Sequence, residues 1–434
     1  MKYFFILFLF LFNQNIFCAE NILKYPKENF NSFPTEVIIY VDSILFANEN
    51  LTEELNAKLL YYQALAYKFS SNNLKSISKL KQIKASKTDY NFNVKVLLAL
   101  SSSNTALQNY TLAVNQGLKA LEITKLYNLE SQKTKALNTL SYVHYSIKEY
   151  EKADFWLDKY IKKDENNKIN ELDVFIDKSE SNKSIYTVYS LEFNTKDTDF
   201  GGAYHNNKLI FSSSRTGGKD YDWNNQPYLD LYQADIDENG NLQNIEKFSS
   251  KINTKLHESN AVFTKDGKRM FFTRNNFING KQIKDKNKVT HLKIYSADLV
   301  NNKWGNIKEL PFNGDNFSVI HPTLSDDDKK LYFSSDMPGT IGSFDLFVVE
   351  IDGKDNYTAP KNLGNKINTD QLEQFPFYSK DTLYFSSNRL LGFGGLDIFK
   401  SYNSKKGFTK PENLQLGINS SLDDFGYVLD EKTN

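Results

Sequence analysis

Two charged residue types recur at fixed positions in the second half of the chain and are the first candidates for chemistry. Arginines follow a Ser-Ser pair at Arg215 and Arg389, and aspartates begin a return segment at Asp230, Asp345 and Asp397. An arginine and an aspartate in one hairpin can form a charge pair, or each can bond backbone groups at the hairpin corner. An active site is normally made once, so the repetition predicts a structural role for these residues.

Motifs for catalysis or metal binding are missing from the sequence. No Gly-x-Ser-x-Gly nucleophile elbow occurs, and the glycine-rich stretch 392–395 lies between two predicted strands instead of before a helix. The histidines do not have the spacing of metal ligands; they are His144, His205, His257, His291 and His321. The sequence therefore predicts a protein without enzymatic activity, without catalytic or metal-ligating residues and without a cofactor.

One loop offers aromatic rings for binding. The stretch 216–228 reads TGGKDYDWNNQPY and contains Tyr221, Trp223 and Tyr228. Loops on a rigid scaffold often carry recognition, and large rings supply a stacking surface. We take these three residues as candidate binding residues for a carbohydrate or a peptide. The lysine-rich loop 275–290 is typical of a solvated surface.

A repeated strand-turn-strand unit must position these residues. Its fullest copy is LYFSSNRLLGFGGLDIF at 383–399. A phenylalanine marks each copy, at separations of roughly 61, 61 and 52 residues, which suits propeller blades with inserted loops; these are Phe211, Phe272, Phe333 and Phe385. One unit cannot bury both of its faces, so the units must stack. Runs of consecutive apolar residues favour strands buried between the blades of an all-β propeller.

A second repeat lies between these units. It reads Ile-Asn-Thr or Ile-Asn-Ser at 252–254, 367–369 and 418–420, and an acid and the next strand follow each copy. The last such strand, 422–429, matches 372–377, but the chain ends where the next LYFSS unit is expected. Because an open sheet edge is normally avoided, either a strand at 186–193 closes the ring or the chain is truncated, and we favour truncation.

The first half of the chain has a helical period. Its clearest part is 136–160, where Leu140, Tyr145, Ala153 and Leu157 take the positions of a tetratricopeptide helix pair. A similar pattern occurs about 40 residues upstream, and about three helix pairs are predicted. We interpret the aromatic residues here as core, with a concave peptide-binding groove as the functional alternative.

The N-terminus and the composition indicate export. Lys2 followed by FFILFLFLF is typical of a secretory signal peptide. Cys18, the single cysteine, excludes an intramolecular disulfide; the bulky Phe17 before it disfavours lipidation. The 53 basic and 53 acidic residues balance, which argues against nucleic-acid binding. We predict an α + β multidomain chain: signal peptide 1–18, helical repeats 19–165, linker 166–185 and propeller 186–434 with its last blade incomplete.

The unit L-Y-F-S-S-x-R-x-x-G-x-G-x-x-D-I-F resembles the blades of TolB-like periplasmic propellers. With the signal peptide and helical repeats, it is similar to multidomain OmpA-family proteins of Bacteroidota, including a type IX secretion component. The stretches that carry this resemblance are Phe200–Arg215, Pro227–Asp237, Ile252–Arg274, His321–Gly342, Pro360–Asp370 and Tyr384–Phe399.

The resemblance implies a periplasmic protein on the outer-membrane side whose helices and propeller bind envelope proteins. In that family, peptidoglycan binding belongs to a C-terminal OmpA-like domain, which has no counterpart in this sequence. The main functional hypothesis is therefore a non-enzymatic scaffold or adaptor, in type IX secretion or gliding. The alternative hypothesis is a carbohydrate- or peptide-binding propeller of the cell envelope.

Overall fold

The computed structural model describes residues 19–161 except 31–33, 48–50, 71 and 148, residue 186, and residues 188–429 except 216–219, 222–225, 239, 279, 287–288, 354, 390–391, 416 and 421. The chain divides into two compact units, 1–165 and 166–434. Helices make up the first unit and antiparallel sheets the second, so the predicted α + β class is confirmed. The predicted signal peptide 1–18 and linker 166–185 lie outside the described residues.

Eight helices are present in the described part of the first unit. They are α1 (Ala19–Asn29), α2 (Pro34–Ala47), α3 (Glu53–Phe69), α4 (Asn73–Leu80), α5 (Tyr90–Ala106), α6 (Tyr110–Leu126), α7 (Glu130–Ser146) and α8 (Tyr150–Ile161). Polar side chains cap several N-termini; Thr52 and Asp89, for example, accept the N–H groups of Leu55 and Phe92. Over the described residues, none of the helices has the length and apolar character needed to cross a membrane.

An equivalent hydrogen bond occurs within each of two helix pairs, which supports the predicted repeat. The Ser101 hydroxyl donates to the Ala113 carbonyl at 2.8 Å, and the Ser141 hydroxyl donates to the Ala153 carbonyl at 3.0 Å. Each residue of the second bond lies 40 positions after its counterpart. Because Ala113 and Ala153 are fully buried, the two helices of each pair approach closely at the same point.

Four antiparallel sheets form the blades of a propeller. Blade A contains β1 (Asp199–His205), β2 (Lys208–Ser213), β5 (Asp230–Ile236) and β6 (Leu242–Lys247), with a short hairpin of β3 (Asp220–Tyr221) and β4 (Gln226–Pro227) before β5. Blade B contains β7 (Glu258–Phe263), β8 (Arg269–Asn275), β11 (Leu292–Val300) and β12 (Lys303–Glu309), with a hairpin of β9 (Phe277–Ile278) and β10 (Lys281–Gln282) before β11.

Blades C and D end in two short strands instead of one long strand. Blade C contains β13 (Val319–Leu324), β14 (Lys330–Ser335), β15 (Asp345–Asp352), β16 (Asn356–Tyr357) and β17 (Lys361–Asn362). Blade D contains β18 (Glu373–Ser379), β19 (Thr382–Ser387), β20 (Asp397–Ser404), β21 (Gly407–Phe408) and β22 (Glu412–Asn413). The four marker phenylalanines are at most 3% exposed and lie in the apolar layers within and between blades.

A fifth segment, 424–429, lies between the last blade and the first. The Phe425 ring is 4.8 Å from Phe375 of β18 and 5.5 Å from Phe200 of β1. No strand pairs with this segment among the described residues, as predicted for an incomplete blade. The predicted strand at 186–193 is wrong, because the described residues there form no strand. At the end of this stretch, the Phe193 ring packs against Phe211 of β2, with ring centroids 5.2 Å apart.

A buried acid at the start of the inner strand joins several elements of its blade. In blade D, Glu373 accepts the hydroxyl and the N–H of Thr369, the Ser387 hydroxyl and the Arg389 guanidinium, the last at 3.0 Å. In blade A, Asp199 accepts the same groups from Thr195, Ser213 and Arg215. The arginines of the repeat therefore pair with this acid and not with the aspartates of the return strand.

Those return-strand aspartates have other partners. Asp345 and Asp397 are buried and accept backbone N–H groups of the preceding turn, from Ile341 and Gly342 and from Phe393 and Gly394. Asp230 forms an ion pair with Lys247 at 2.6 Å. Burial raises the pKa of Asp397 well above its ordinary value. These aspartates fix the corners at which the chain turns into the third strand.

Asparagines in the loop that follows each blade bind the third strand of that blade. The Asn368 side chain accepts the Leu346 N–H at 2.8 Å and donates to the Leu346 carbonyl at 3.0 Å. The same two-bond contact is made by Asn253 to Leu231, Asn313 to Ile294 and Asn419 to Ile398. Each asparagine thus satisfies a backbone donor and acceptor beside the third strand, as another strand would.

The Glu373–Arg389 pair predicts a specific pattern of stability changes. Replacing Arg389 by Met leaves the buried Glu373 carboxylate without its cation, which typically costs about 3–5 kcal/mol. Blade C supplies the control, because Val319 and Met337 stand where the acid and the arginine are found in blade D. We expect the double variant Glu373→Val with Arg389→Met to regain much of the loss in urea unfolding. A double variant less stable than Arg389→Met alone would contradict this account.

Candidate binding site

The inner strands surround a cavity of about 920 Å³. Residues of β1, β7, β13 and β18 line it together with 426–429, and so do the turns that follow the first three of these strands. Its size lies within the range of about 300–1,000 Å³ that is usual for small-molecule sites. The cavity is therefore large enough to hold a small-molecule ligand.

Hydrogen bonds between neighbouring turns support the rim of this cavity. The His205 ring of blade A donates from Nε2 to the Gly267 carbonyl of blade B at 3.0 Å. The Lys265 N–H of blade B donates to Asp328 of blade C at 2.8 Å. Asp326 of blade C accepts an N–H from blade D at 3.2 Å. The rim carboxylates therefore hold the turns of successive blades together.

Four aromatic side chains gather around the bulges of the inner strands. The imidazole of His321 stacks on the Phe375 ring, with centroids 3.8 Å apart and planes 16° apart. Phe200 and Phe425 complete the group, with Phe200 in edge contact with Phe375 at 6.0 Å. We call His321, Phe200, Phe375 and Phe425 the aromatic cluster. His321 and Phe375 line the cavity, so a ring surface borders it.

His321 is a neutral, oriented imidazole. Burial lowers its pKa from 6.5 to about 3. Its Nδ1 faces the Phe375 N–H at 3.4 Å, and the His321 N–H donates to the Thr273 hydroxyl of the neighbouring blade at 2.9 Å. A ring that accepts at Nδ1 carries its hydrogen on Nε2. The His321 imidazole therefore offers a hydrogen-bond donor at Nε2 and carries no positive charge.

The backbone of the aromatic cluster is strained at corresponding positions. His321 has φ +56° and Phe375 has φ +51°, where the equivalent residues of the first and fifth inner strands are Gly201 and Gly426. A residue with a bulky side chain rarely adopts positive φ, and each such residue costs about 1–3 kcal/mol. Asn260 has positive φ at the same position of blade B, so this conformation belongs to the bulge that the inner strands of all four blades contain.

The polar lining of the cavity is rich in amides and hydroxyls and carries negative charge. Four acidic residues, Asp237, Glu238, Asp326 and Asp328, face one basic residue, Lys265. Neutral hydrogen-bonding groups lie between them, on Asn206, Asn207, Asn260, Thr264, Thr323, Ser325 and Ser379. Desolvation raises the pKa of Asp328. The lining disfavours an anionic ligand and offers many donors and acceptors to a neutral one.

Two further acids with raised pKa values belong to the blade framework instead of the cavity. Burial raises the pKa of Glu258, at the start of β7, to about 8, although Thr254 and Arg274 oppose this shift. Burial likewise raises the pKa of Asp424 to about 6. Among the described residues, no group of three His, Cys, Asp or Glu side chains is placed to hold a metal ion.

The predicted aromatic loop belongs to the other end of blade A. Loops between second and third strands emerge at the end opposite to the turns that line the cavity, because the strands of a blade alternate in direction. Tyr228 lies there, with its ring 4.6 Å from His257. Trp223 and the side chain of Tyr221 lie outside the described residues. Binding by this loop therefore stays a prediction.

Sequence reasoning missed the aromatic cluster. Its members occupy equivalent or adjacent positions of the repeat: Phe200 and Phe425 directly precede the positive-φ position that His321 and Phe375 occupy. Aligning the repeats at the first residue of each inner strand would have shown an aromatic or histidine side chain at one of these two positions in every copy except that of blade B. The signal was present, but the repeat was read for its strands and turns.

The propeller was compared with known proteins. No protein-family profile matches the chain, and no curated protein is similar to it by sequence. Solved structures do match. An α-L-arabinofuranosidase from Lactobacillus brevis is 10% identical in sequence, and the match covers 50% of this chain and 72% of the enzyme's chain, with a TM-score of 0.34. An exo-β-1,3-galactanase from Clostridium thermocellum is 14% identical in sequence, and the match covers 52% of this chain and 50% of the enzyme's chain, with a TM-score of 0.33.

A xylan β-1,4-xylosidase from Bacillus halodurans C-125 is 14% identical in sequence, and the match covers 52% of this chain and 43% of the enzyme's chain, with a TM-score of 0.32. These structures are glycoside hydrolases, so the prediction that excluded an enzyme is corrected and the exclusion is withdrawn. Sequence motifs failed as grounds for exclusion because catalytic groups can be brought together without a local motif. At such identities the likeness concerns the fold, and no substrate or catalytic residue is carried over.

Because the backbone at Phe375 is strained, we expect the usual order of stability of alanine and glycine variants to be reversed at this position. Alanine normally stabilises a strand relative to glycine by about 0.5–1 kcal/mol, but glycine adopts positive φ without strain. We expect Phe375→Gly to be at least as stable as Phe375→Ala in urea unfolding, since both lose the ring and glycine also loses the strain. The matched pair Phe377→Gly and Phe377→Ala, at a position without positive φ, should show the usual order. A clearly more stable Phe375→Ala would contradict the assignment.

Proposed function

We propose that the propeller binds a neutral carbohydrate in the cavity bordered by the aromatic cluster. The observation that carries this proposal is the pairing of the half-buried Phe375 ring, stacked on the buried His321 imidazole, with a lining of amides and hydroxyls. A sugar ring presents an apolar C–H face that packs on an aromatic ring, and hydroxyls that both donate and accept hydrogen bonds. The same two kinds of surface face each other here.

The charge of the lining narrows the ligand class. Four carboxylates against one lysine make phosphorylated sugars, uronic acids and nucleic acids poor ligands. A basic peptide would match the charge, but it would leave the neutral amides and ring faces of the cavity largely unused. A neutral oligosaccharide of two or three residues uses both features.

Calorimetry with a panel of neutral oligosaccharides tests the proposal. We expect saturable binding, and at least tenfold weaker binding for Phe375→Gly, which removes a lining ring without leaving strained backbone. Tyr204→Ala, in the cavity lining, should also weaken binding. Tyr402→Ala is the matched control, since Tyr402 is similarly exposed but lies outside the lining.

The competing ligands define the outcomes that would contradict the proposal. An oligolysine peptide that binds more tightly than every neutral sugar would replace the carbohydrate by a basic peptide. Binding of uronic acid oligomers with equal affinity would contradict the charge argument. Measuring the reducing ends released during the titration distinguishes binding alone from hydrolysis.

The cellular setting of this function is part of the proposal. The signal-like segment at the N-terminus and the resemblance of the repeat to OmpA-family envelope proteins support export to the periplasm and association with the outer membrane. A glycan-binding propeller would there meet cell-wall or imported polysaccharide.

A second candidate function is binding of an envelope protein by the helical unit, as a scaffold or adaptor. Ile39 and Phe46 of α2 lie seven residues apart, on one helix face, and are 63% and 93% exposed. An exposed apolar stripe of this kind is common at protein interfaces. Cross-linking in envelope extracts should yield one specific adduct that Phe46→Ser abolishes and Leu74→Ser, an exposed control on α4, retains. An unchanged adduct pattern would contradict the role of this face.

A further inference from the structure

A second cavity, of about 440 Å³, lies between blades C and D, away from their inner strands. Blade C contributes residues of β14, β15 and β17, and blade D contributes the hairpin of β20 and β21. None of the described residues that line it also lines the cavity bordered by the aromatic cluster. Its volume lies within the usual range of small-molecule sites. We call it the outer cavity.

The outer cavity has an apolar wall that is held in place by packing. The apolar side chains of this wall are Tyr332, Val348, Leu363 and Phe408. The buried Tyr332 ring stacks on Tyr378, with centroids 5.1 Å apart and planes 6° apart, and the Phe408 ring meets it edge-on at 6.2 Å. These contacts fix the central ring, so the wall is a preformed apolar surface.

Two side chains are smaller at the outer cavity than at the same place between blades A and B. Phe248 and Leu363 are equivalent, because the N–H of each donates to the second residue of the third strand of its blade. Trp304 and Phe408 are also equivalent, since each is the second residue of the strand that follows. The rings of Phe248 and Trp304 pack together between blades A and B, with centroids 5.9 Å apart. A leucine and a phenylalanine fill less of this space between blades C and D.

The outer cavity carries an excess of positive charge. A single carboxylate, that of Glu350, lines it together with three lysines that have no ion-pair partner among the described residues; these are Lys330, Lys361 and Lys366. The two amides of the lining already have partners, because Asn362 donates to Asp345 and Asn403 donates to the Tyr378 hydroxyl. The lysine ammonium groups are therefore the charged donors that a ligand meets.

Lys330 differs in this respect from its equivalents in other blades. Lys208 begins the second strand of blade A and forms an ion pair with Asp235, the acid opposite to it. Arg269 likewise pairs with the acid opposite to it in blade B. The half-buried Lys330 lies opposite Glu350 in the same register, but no ion pair joins these two described residues. Its ammonium group is therefore available to a ligand.

We propose that the outer cavity binds a small organic carboxylate with an apolar body. The apolar body packs against the wall that contains Tyr332 and Phe408, and the carboxylate lies among the three lysines. Removal of apolar surface from water supplies affinity, and charge-assisted hydrogen bonds to ammonium groups orient the anion. This ligand class follows from charge complementarity together with the apolar wall, and the site is separate from the proposed carbohydrate site.

Three small probes separate the two requirements of this site. Octanoate has an anionic group and an apolar chain, octylammonium has the same chain with the opposite charge, and acetate has the anionic group without the chain. We expect saturable binding of octanoate to the full chain by calorimetry. Octylammonium and acetate should each bind at least tenfold more weakly.

Replacing lysines tests the charge. The double variant Lys361→Gln with Lys366→Gln should weaken octanoate binding at least tenfold. The matched control is Lys251→Gln with Lys329→Gln, which removes the same charge outside the lining. Lys251 is the equivalent of Lys366 in the Lys-Ile-Asn-Thr repeat. The control should bind octanoate as the unchanged protein does.

Filling the outer cavity tests its location without changing any charge. The double variant Leu363→Phe with Phe408→Trp introduces the pair of rings that is found between blades A and B. We expect at least a tenfold loss of octanoate affinity. Circular dichroism and urea unfolding show whether each variant is folded, and the lysine variants test the site independently if the larger rings do not fit.

Three results would overturn the proposal. The first is no saturable binding of octanoate to the folded chain, and the second is equally tight binding of octylammonium. The third is octanoate binding that the lysine replacements do not weaken, or that a folded variant with the filled cavity retains. The carbohydrate titration is independent of these results, because the two cavities have no described lining residue in common.

Discussion

Blades A and D depend on a buried carboxylate at the first position of the inner strand. The carboxylate accepts hydrogen bonds from a threonine of the incoming loop and from a serine and an arginine at the end of the second strand. The loop, the inner strand and the second strand are therefore joined at one point. A buried carboxylate is costly unless it is paired and hydrogen-bonded, and each of these contacts therefore constrains the others. Correct seating of one inner strand requires that the preceding loop and the following strand are both in place.

Blade C shows how this constraint can be removed without damage. Val319 replaces the acid and Met337 replaces the arginine, so neither charge is left alone in the interior. Asp336 remains as a hydrogen-bond acceptor for the Ser318 N–H at 2.6 Å, the role that Asn388 plays for Leu372. Blade B is intermediate: Glu258 keeps the acid, Asn276 stands at the arginine position, and the pKa of the carboxyl is raised to about 8.

The repeats made the architecture predictable, because an apolar LYF run, turn residues and a fixed spacing are properties of local sequence. The partner of each arginine was not predictable in this way. Arg389 has two acids within reach of its hairpin, Asp397 and Glu373, and spacing alone does not tell which one its guanidinium meets. The aromatic cluster could have been found by aligning the repeats, but the positive φ of His321 and Phe375 could not, because their side chains disfavour it and tertiary packing overrides that preference.

Two kinds of connection lie at the end of the propeller opposite to the cavity. The loops that join one blade to the next are fixed by the asparagine contacts and by the carboxylate that follows four residues after Thr254 or Thr369. The connections between second and third strands are bound in blades C and D by the aspartates that begin β15 and β20, and they range from the longer, hairpin-containing connections of blades A and B to the shorter turns of blades C and D. Evolution can therefore lengthen or rewrite the surface at this end while the ring beneath it, and the cavity at the far end, keep their geometry.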